Sequence, residues 1–115
     1  MVSESPHAQL LRRLALNDVG AVDDAMRGTT AEGCDRDLGE RARVFVRLAA
    51  LIATEATAAS YQWAVASAFA VGATEGELVD VLLTVAPIVG VARVASAASP
   101  LAAALGFDID VLNDH

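Results

Sequence analysis

The chain has 115 residues, of which 55% are hydrophobic but only 4% aromatic, and it carries a formal net charge of −7 with a pI near 4.5. That length holds one domain, spanning 1–115, with a small core, and the acidic balance excludes nucleic acid as a partner, because phosphate binding draws on clustered Lys and Arg. A single Cys excludes an intrachain disulfide.

Ser5 followed by Pro6 is a helix start, since the hydroxyl caps free amides and proline is tolerated in the first turn. A helix is expected over Pro6 to Leu16, with Leu10, Leu11, Leu14 and Ala15 on one face and Arg12 and Arg13 outside it. Asn17-Asp18 ends it and caps another, running to Met26 or Arg27 before Gly28. Residues 28 to 39 are polar and contain glycine, and they read as a loop. No basic-then-apolar secretory signal opens the chain, so a soluble cytoplasmic protein is expected.

The next helix starts near Leu38 to Glu40 and continues to about Glu55, with Val44, Leu48, Leu51 and Ile52 at helical spacing. Glu40 and Arg43 are spaced to pair across one turn. A further helix covers Thr57 to Val71 and stops at Gly72, where Thr74 and Glu77 have capping-box spacing for its successor. Pro87 lacks a backbone donor and clashes one turn back, so a bend or break is predicted there. Pro100 is expected to begin a separate short turn of helix that Gly106 ends, and 108–115 form an acidic tail. The apolar run Val81 to Phe107 contains Pro87, Arg93 and Pro100, has no aromatic belt, and reads as buried helices rather than a membrane span.

Alanine supplies about a fifth of the chain and buries little area per side chain. Close helix approach and burial between subunits must compensate, so a homo-oligomer is expected.

Two Ala-rich helices joined by Val71-Gly72-Ala73-Thr74-Glu75-Gly76-Glu77-Leu78 precede Val81-Leu82-Leu83-Thr84-Val85-Ala86-Pro87-Ile88-Val89-Gly90. This pattern, over residues 38–107, resembles the carboxymuconolactone decarboxylase superfamily, whose other main branch is the alkylhydroperoxidase D type. The resemblance implies an all-α, multi-helix alkylhydroperoxidase D-like (AhpD-like) fold assembled as a trimer or hexamer. It also implies which reactive groups are missing. Where the redox branch has Cys-x-x-Cys followed by His, this chain reads Thr57-Ala58-Ala59-Ser60-Tyr61-Gln62-Trp63-Ala64. The Cys positions hold Thr57 and Ser60, the His position holds Ala64, and the Glu of the proton relay aligns with Phe45. A hydroxyl does not replace a thiolate in peroxide reduction, and the decarboxylase branch also uses a His at the Ala64 position.

Several side chains remain as candidates for acid–base chemistry. Glu55 extends the Val44-Leu48-Leu51 stripe by one turn, where apolar surroundings raise a carboxyl pKa; the plainer reading is a solvated helix end. Arg93 continues the Leu78-Leu82-Val85-Val89 stripe, so an interior or subunit-interface position is expected, either paired with Glu55 or Asp80 across an interface or clamping a substrate carboxylate. Tyr61, Gln62 and Trp63 beside Thr57 and Ser60 form a polar-tipped cluster that lines a ligand pocket or fills a contact. Cys34 lies among Asp35 and Asp37, which disfavour a thiolate. His7 and His115 have no ligand-spaced partners, and neither metal nor cofactor is expected. Two functions follow: a catalytically degenerate oligomeric binding or scaffold protein, or a small-molecule enzyme using Glu55, Arg93 and Tyr61 on a small organic acid.

Overall fold

The computed structural model describes residues 5–28 and 37–107, and those residues form six α-helices with no strand. They are α1 (Pro6–Ala15), α2 (Val19–Arg27), α3 (Glu40–Thr54), α4 (Ala58–Ala70), α5 (Glu75–Val89) and α6 (Val91–Leu105). The first two belong to one compact unit, Met1–Asp37, and the other four to a second, Leu38–His115. No helix among the described residues is long and apolar enough to cross a membrane.

In the first unit the caps are those the sequence predicts. Ser5 Oγ accepts the amide of Ala8 at 3.1 Å with Pro6 opening α1. Asn17 turns the chain at φ 58°, and Asp18 Oδ1 then accepts the Ala21 amide at 3.1 Å to start α2. The same oxygen accepts from Arg13 at 3.1 Å, so one carboxylate both caps α2 and ties it to α1. His7 Nε2 stands 3.0 Å from Asp37, a pairing that sequence spacing gave no reason to expect.

The second unit is built on α3, which packs against α4, α5 and α6. Val44, Leu48 and Ile52 form its buried stripe, spaced four residues apart. They meet Tyr61, Val65 and Ala68 of α4, Leu78 and Leu82 of α5, and Ala97, Leu101 and Leu105 of α6. Each buried leucine contributes about 1.5–3 kcal/mol. The alanines contribute less but let the helices approach closely. Tyr61, Leu48, Ile52 and Leu78 are the largest fully buried side chains.

Thr74 and Glu77 form the expected capping box of α5: Thr74 Oγ1 accepts the Glu77 amide at 3.2 Å and Glu77 Oε1 accepts the Thr74 amide at 2.9 Å. Arg41, at the start of α3, donates to the other oxygen of Glu77 and to the Gly72 carbonyl at 3.0 Å. These contacts hold the first turns of α3 and α5 beside each other.

The break expected at Pro87 and the helix start expected at Pro100 need correction. Helix α5 continues through Pro87 to Val89 and is interrupted at Gly90, whose φ of 91° and ψ of 162° suit glycine alone. Pro100 lies inside α6, which continues to Leu105. A proline costs a helix one hydrogen bond, and packing against the core outweighs that loss when no neighbouring residue favours a stop. Glycine at positive φ is the stronger punctuation here.

Candidate functional site

The turn between α3 and α4 gathers most of the candidate side chains. Helix α3 ends on Glu55 in the left-handed conformation, φ 55° and ψ 55°, with the Ala56 amide donating back to the Leu51 carbonyl at 3.1 Å. That conformation is costly for a residue with a Cβ. Thr57 caps α4, accepting the Ser60 amide at 3.3 Å, and its hydroxyl lies 3.2 Å from that of Ser60. The two residues at the resemblance's cysteine positions therefore serve as a helix cap and its neighbour.

Tyr61 follows, 1% exposed, and its hydroxyl is buried without a hydrogen-bond partner. Burial pushes its pKa up, and the negative charge of Glu55 pushes it further in the same direction. The phenol is thus held neutral. Arg93 arrives from α6, and its Nη1 donates to the Ala53 carbonyl at 2.5 Å. Ala53 is in the last turn of α3, where carbonyls lack helical partners.

One part of the expectation for Arg93 is corrected. Within the chain its side chain is exposed rather than interior, and it donates to a main-chain carbonyl. The helix end attracts it because the Ala53 carbonyl lies in the last turn, where the aligned peptide dipoles favour a cation. Glu55 is also exposed, in agreement with the plainer reading of it.

The Tyr61-Gln62-Trp63 cluster comes apart in the structure. Tyr61 points into the core while Gln62 and Trp63 are exposed, because consecutive helical residues lie about 100° apart. Trp63 lies instead beneath the guanidinium of Arg47, 5.9 Å from ring centroid to carbon. Ala64 is buried in the core. Cys34 and His115 lie outside the described residues, and among the described residues no group of three or more His, Cys, Asp or Glu is placed to hold a metal ion.

Two grooves flank α3, one on each side, and sequence reasoning found neither. Between α3 and α5 a cleft of about 330 Å³ is lined by Phe45, Val46, Ala49, Val81 and Val85, with Glu77, Asp80 and Thr84 at its edge. Phe45 also lies 5.4 Å beneath the Arg41 guanidinium. Between α3 and α4 a cleft of about 260 Å³ is lined by Glu40, Arg43, Val44, Arg47, Ser67 and Val71. The expected Glu40–Arg43 pair is absent among the described residues, and Arg43 Nη1 donates to the Leu38 carbonyl at 2.9 Å. Neither groove is lined by Glu55, Tyr61 or Arg93. The signals were present as Phe45–Ala49 and Arg43–Arg47, each pair one helical turn apart.

Comparison of the chain with family models, with curated proteins and with solved structures found no match.

Proposed function

We propose that this chain is a non-catalytic helical protein that assembles with copies of itself and acts as a binding or scaffold subunit. The observation that carries this reading is the open apolar cleft between α3 and α5, continued by exposed side chains. Val46 is 55% exposed, and Ile88, one turn beyond Thr84, is 85% exposed. Leu83 and Val91 are exposed on the same helix and at the start of the next. Such a surface on a small helical unit marks an interaction site.

Charge favours a second copy as the occupant. Residues 38–107 contain five acids, Glu40, Glu55, Glu75, Glu77 and Asp80, against Arg41, Arg43, Arg47 and Arg93, a net of −1 beside −7 for the whole chain. The unit that would meet its own copy is close to neutral, with Glu77 at the cleft's edge paired to Arg41 and Asp80 the one acid of the lining unmatched among the described residues, and most of the repulsive charge lies elsewhere in the chain. A trimer or hexamer fits the resemblance to the carboxymuconolactone decarboxylase superfamily. Equilibrium sedimentation of the chain beside Val46→Glu tests this assembly.

A second reading has its own support. Glu55 in a strained conformation and the unpartnered Tyr61 hydroxyl lie at one end of the helices, with Arg93 anchored to the adjacent carbonyl. Strain and orphaned polar groups gather at functional sites. On that reading Glu55 serves as the acid or base toward a small organic acid held by Arg93, while Tyr61, 1% exposed, lies too deep to touch it. A gain in stability from Glu55→Gly with a simultaneous loss of ligand binding would favour it; a gain alone favours the scaffold.

A further inference from the structure

We infer that the groove between α3 and α4 binds a small monocarboxylate through Arg43 and Arg47. These two arginines lie one turn apart on α3, over a floor of Val44 and Val71, with the Ser67 hydroxyl on the facing helix. Among the described residues, Arg13, Arg27 and Arg41 are each matched with an acid, Asp18, Asp24 and Glu77. Arg43 and Arg47 form no ion pair among these residues, in a chain with seven more acids than bases.

Both guanidinium groups are nonetheless held in place. Arg43 spends one nitrogen on the Leu38 carbonyl at 2.9 Å, and Arg47 rests over the Trp63 ring. Each retains free N–H groups, and planar guanidinium donors match the two oxygens of a carboxylate. Glu40 lines the same groove, so its net charge is +1, from two arginines and one glutamate. That favours a single negative charge over a dianion. Val71, half-buried, offers limited apolar contact to the body of a ligand, and a volume of about 260 Å³ suits one smaller than a drug-sized molecule.

The chain has one tryptophan, Trp63, which lies under Arg47, so its fluorescence and indole resonance respond when Arg47 is engaged. Titrating benzoate and inorganic phosphate into the full chain at neutral pH, followed by Trp63 fluorescence and the Ser67 amide shift, tests the inference. Benzoate is expected to saturate both signals and to bind more tightly than phosphate. Arg43→Gln and Arg47→Gln are each expected to weaken it roughly tenfold, the size of a lost hydrogen bond to a charged group. Glu40→Gln should tighten it several-fold, and Arg27→Gln, on α2, should leave it unchanged. Absence of saturation by benzoate at millimolar concentration, tighter binding of phosphate, or an Arg27→Gln effect equal to that of Arg43→Gln would each overturn it.

Discussion

Arg93 of α6 closes the end of α3 by donating to the Ala53 carbonyl at 2.5 Å, which ties together two helices forty residues apart in the chain. A guanidinium at a helix C-terminus is favoured both by the unpaired carbonyl and by the aligned peptide dipoles. Arg93→Met keeps much of the stem and removes both effects. A loss of about 0.5–1.5 kcal/mol in urea denaturation is expected, with Arg93→Lys recovering part of it.

Glu55→Gly is expected to raise stability by about 1 kcal/mol, because glycine adopts φ 55° without a Cβ clash and the substitution also removes a negative charge from a helix C-terminus. Thermal unfolding measures the gain. A loss would mean that the Glu55 side chain makes a contact worth more than its backbone strain.

Tyr61→Phe removes the buried hydroxyl that has no partner and keeps the ring in the core. The variant is expected to be more stable by about 1 kcal/mol, toward the low end of the cost of an unsatisfied buried group. The same burial fixes the alkaline behaviour. The folded pKa of Tyr61 lies above its ordinary value of 10.0, so its contribution is complete below that pH and is lost as pH rises toward the folded value. Absorbance of the chain's one tyrosine should show ionisation arriving late, together with unfolding.

Thr74→Ala breaks both hydroxyl contacts of the capping box and is expected to cost about 1 kcal/mol at pH 7. Glu77 is held below its ordinary 4.5, first by the Thr74 amide and then by Arg41. A lowered carboxyl pKa stabilises the fold above the unfolded value and ceases to do so as pH falls through the folded one. Glu77→Gln should therefore destabilise the chain at neutral pH and flatten the acid limb of its stability curve, both read from denaturation at several pH values.

The helix boundaries were legible because they depend on single residues: Ser5, Asp18 and Thr74 cap helices, and Gly28, Gly72 and Gly106 end them. The buried stripe of α3 was legible for the same reason, from one spacing in one helix. Pro87 and Pro100 misled because their cost is local while the packing that offsets it is not. The candidate side chains were harder to place. Tyr61 and Trp63 are neighbours in sequence but face different sides of α4, and Arg93 finds a carbonyl that no side-chain pattern announces. The grooves escaped notice because each needs the relative position of two helices, which periodicity within either one leaves open.

Self-assembly is tested most directly by sedimentation equilibrium of the wild-type chain, Val46→Glu and Ile88→Glu. Both side chains are exposed, so neither substitution should unfold the subunit; surface changes are worth about 0.5 kcal/mol. The wild type is expected to sediment as a multiple of the 11.8 kDa chain, and both variants are expected to fall to the single-chain mass with their helical content intact. A wild-type chain that sediments at 11.8 kDa across the micromolar range, or variants that retain the wild-type mass, would contradict the account.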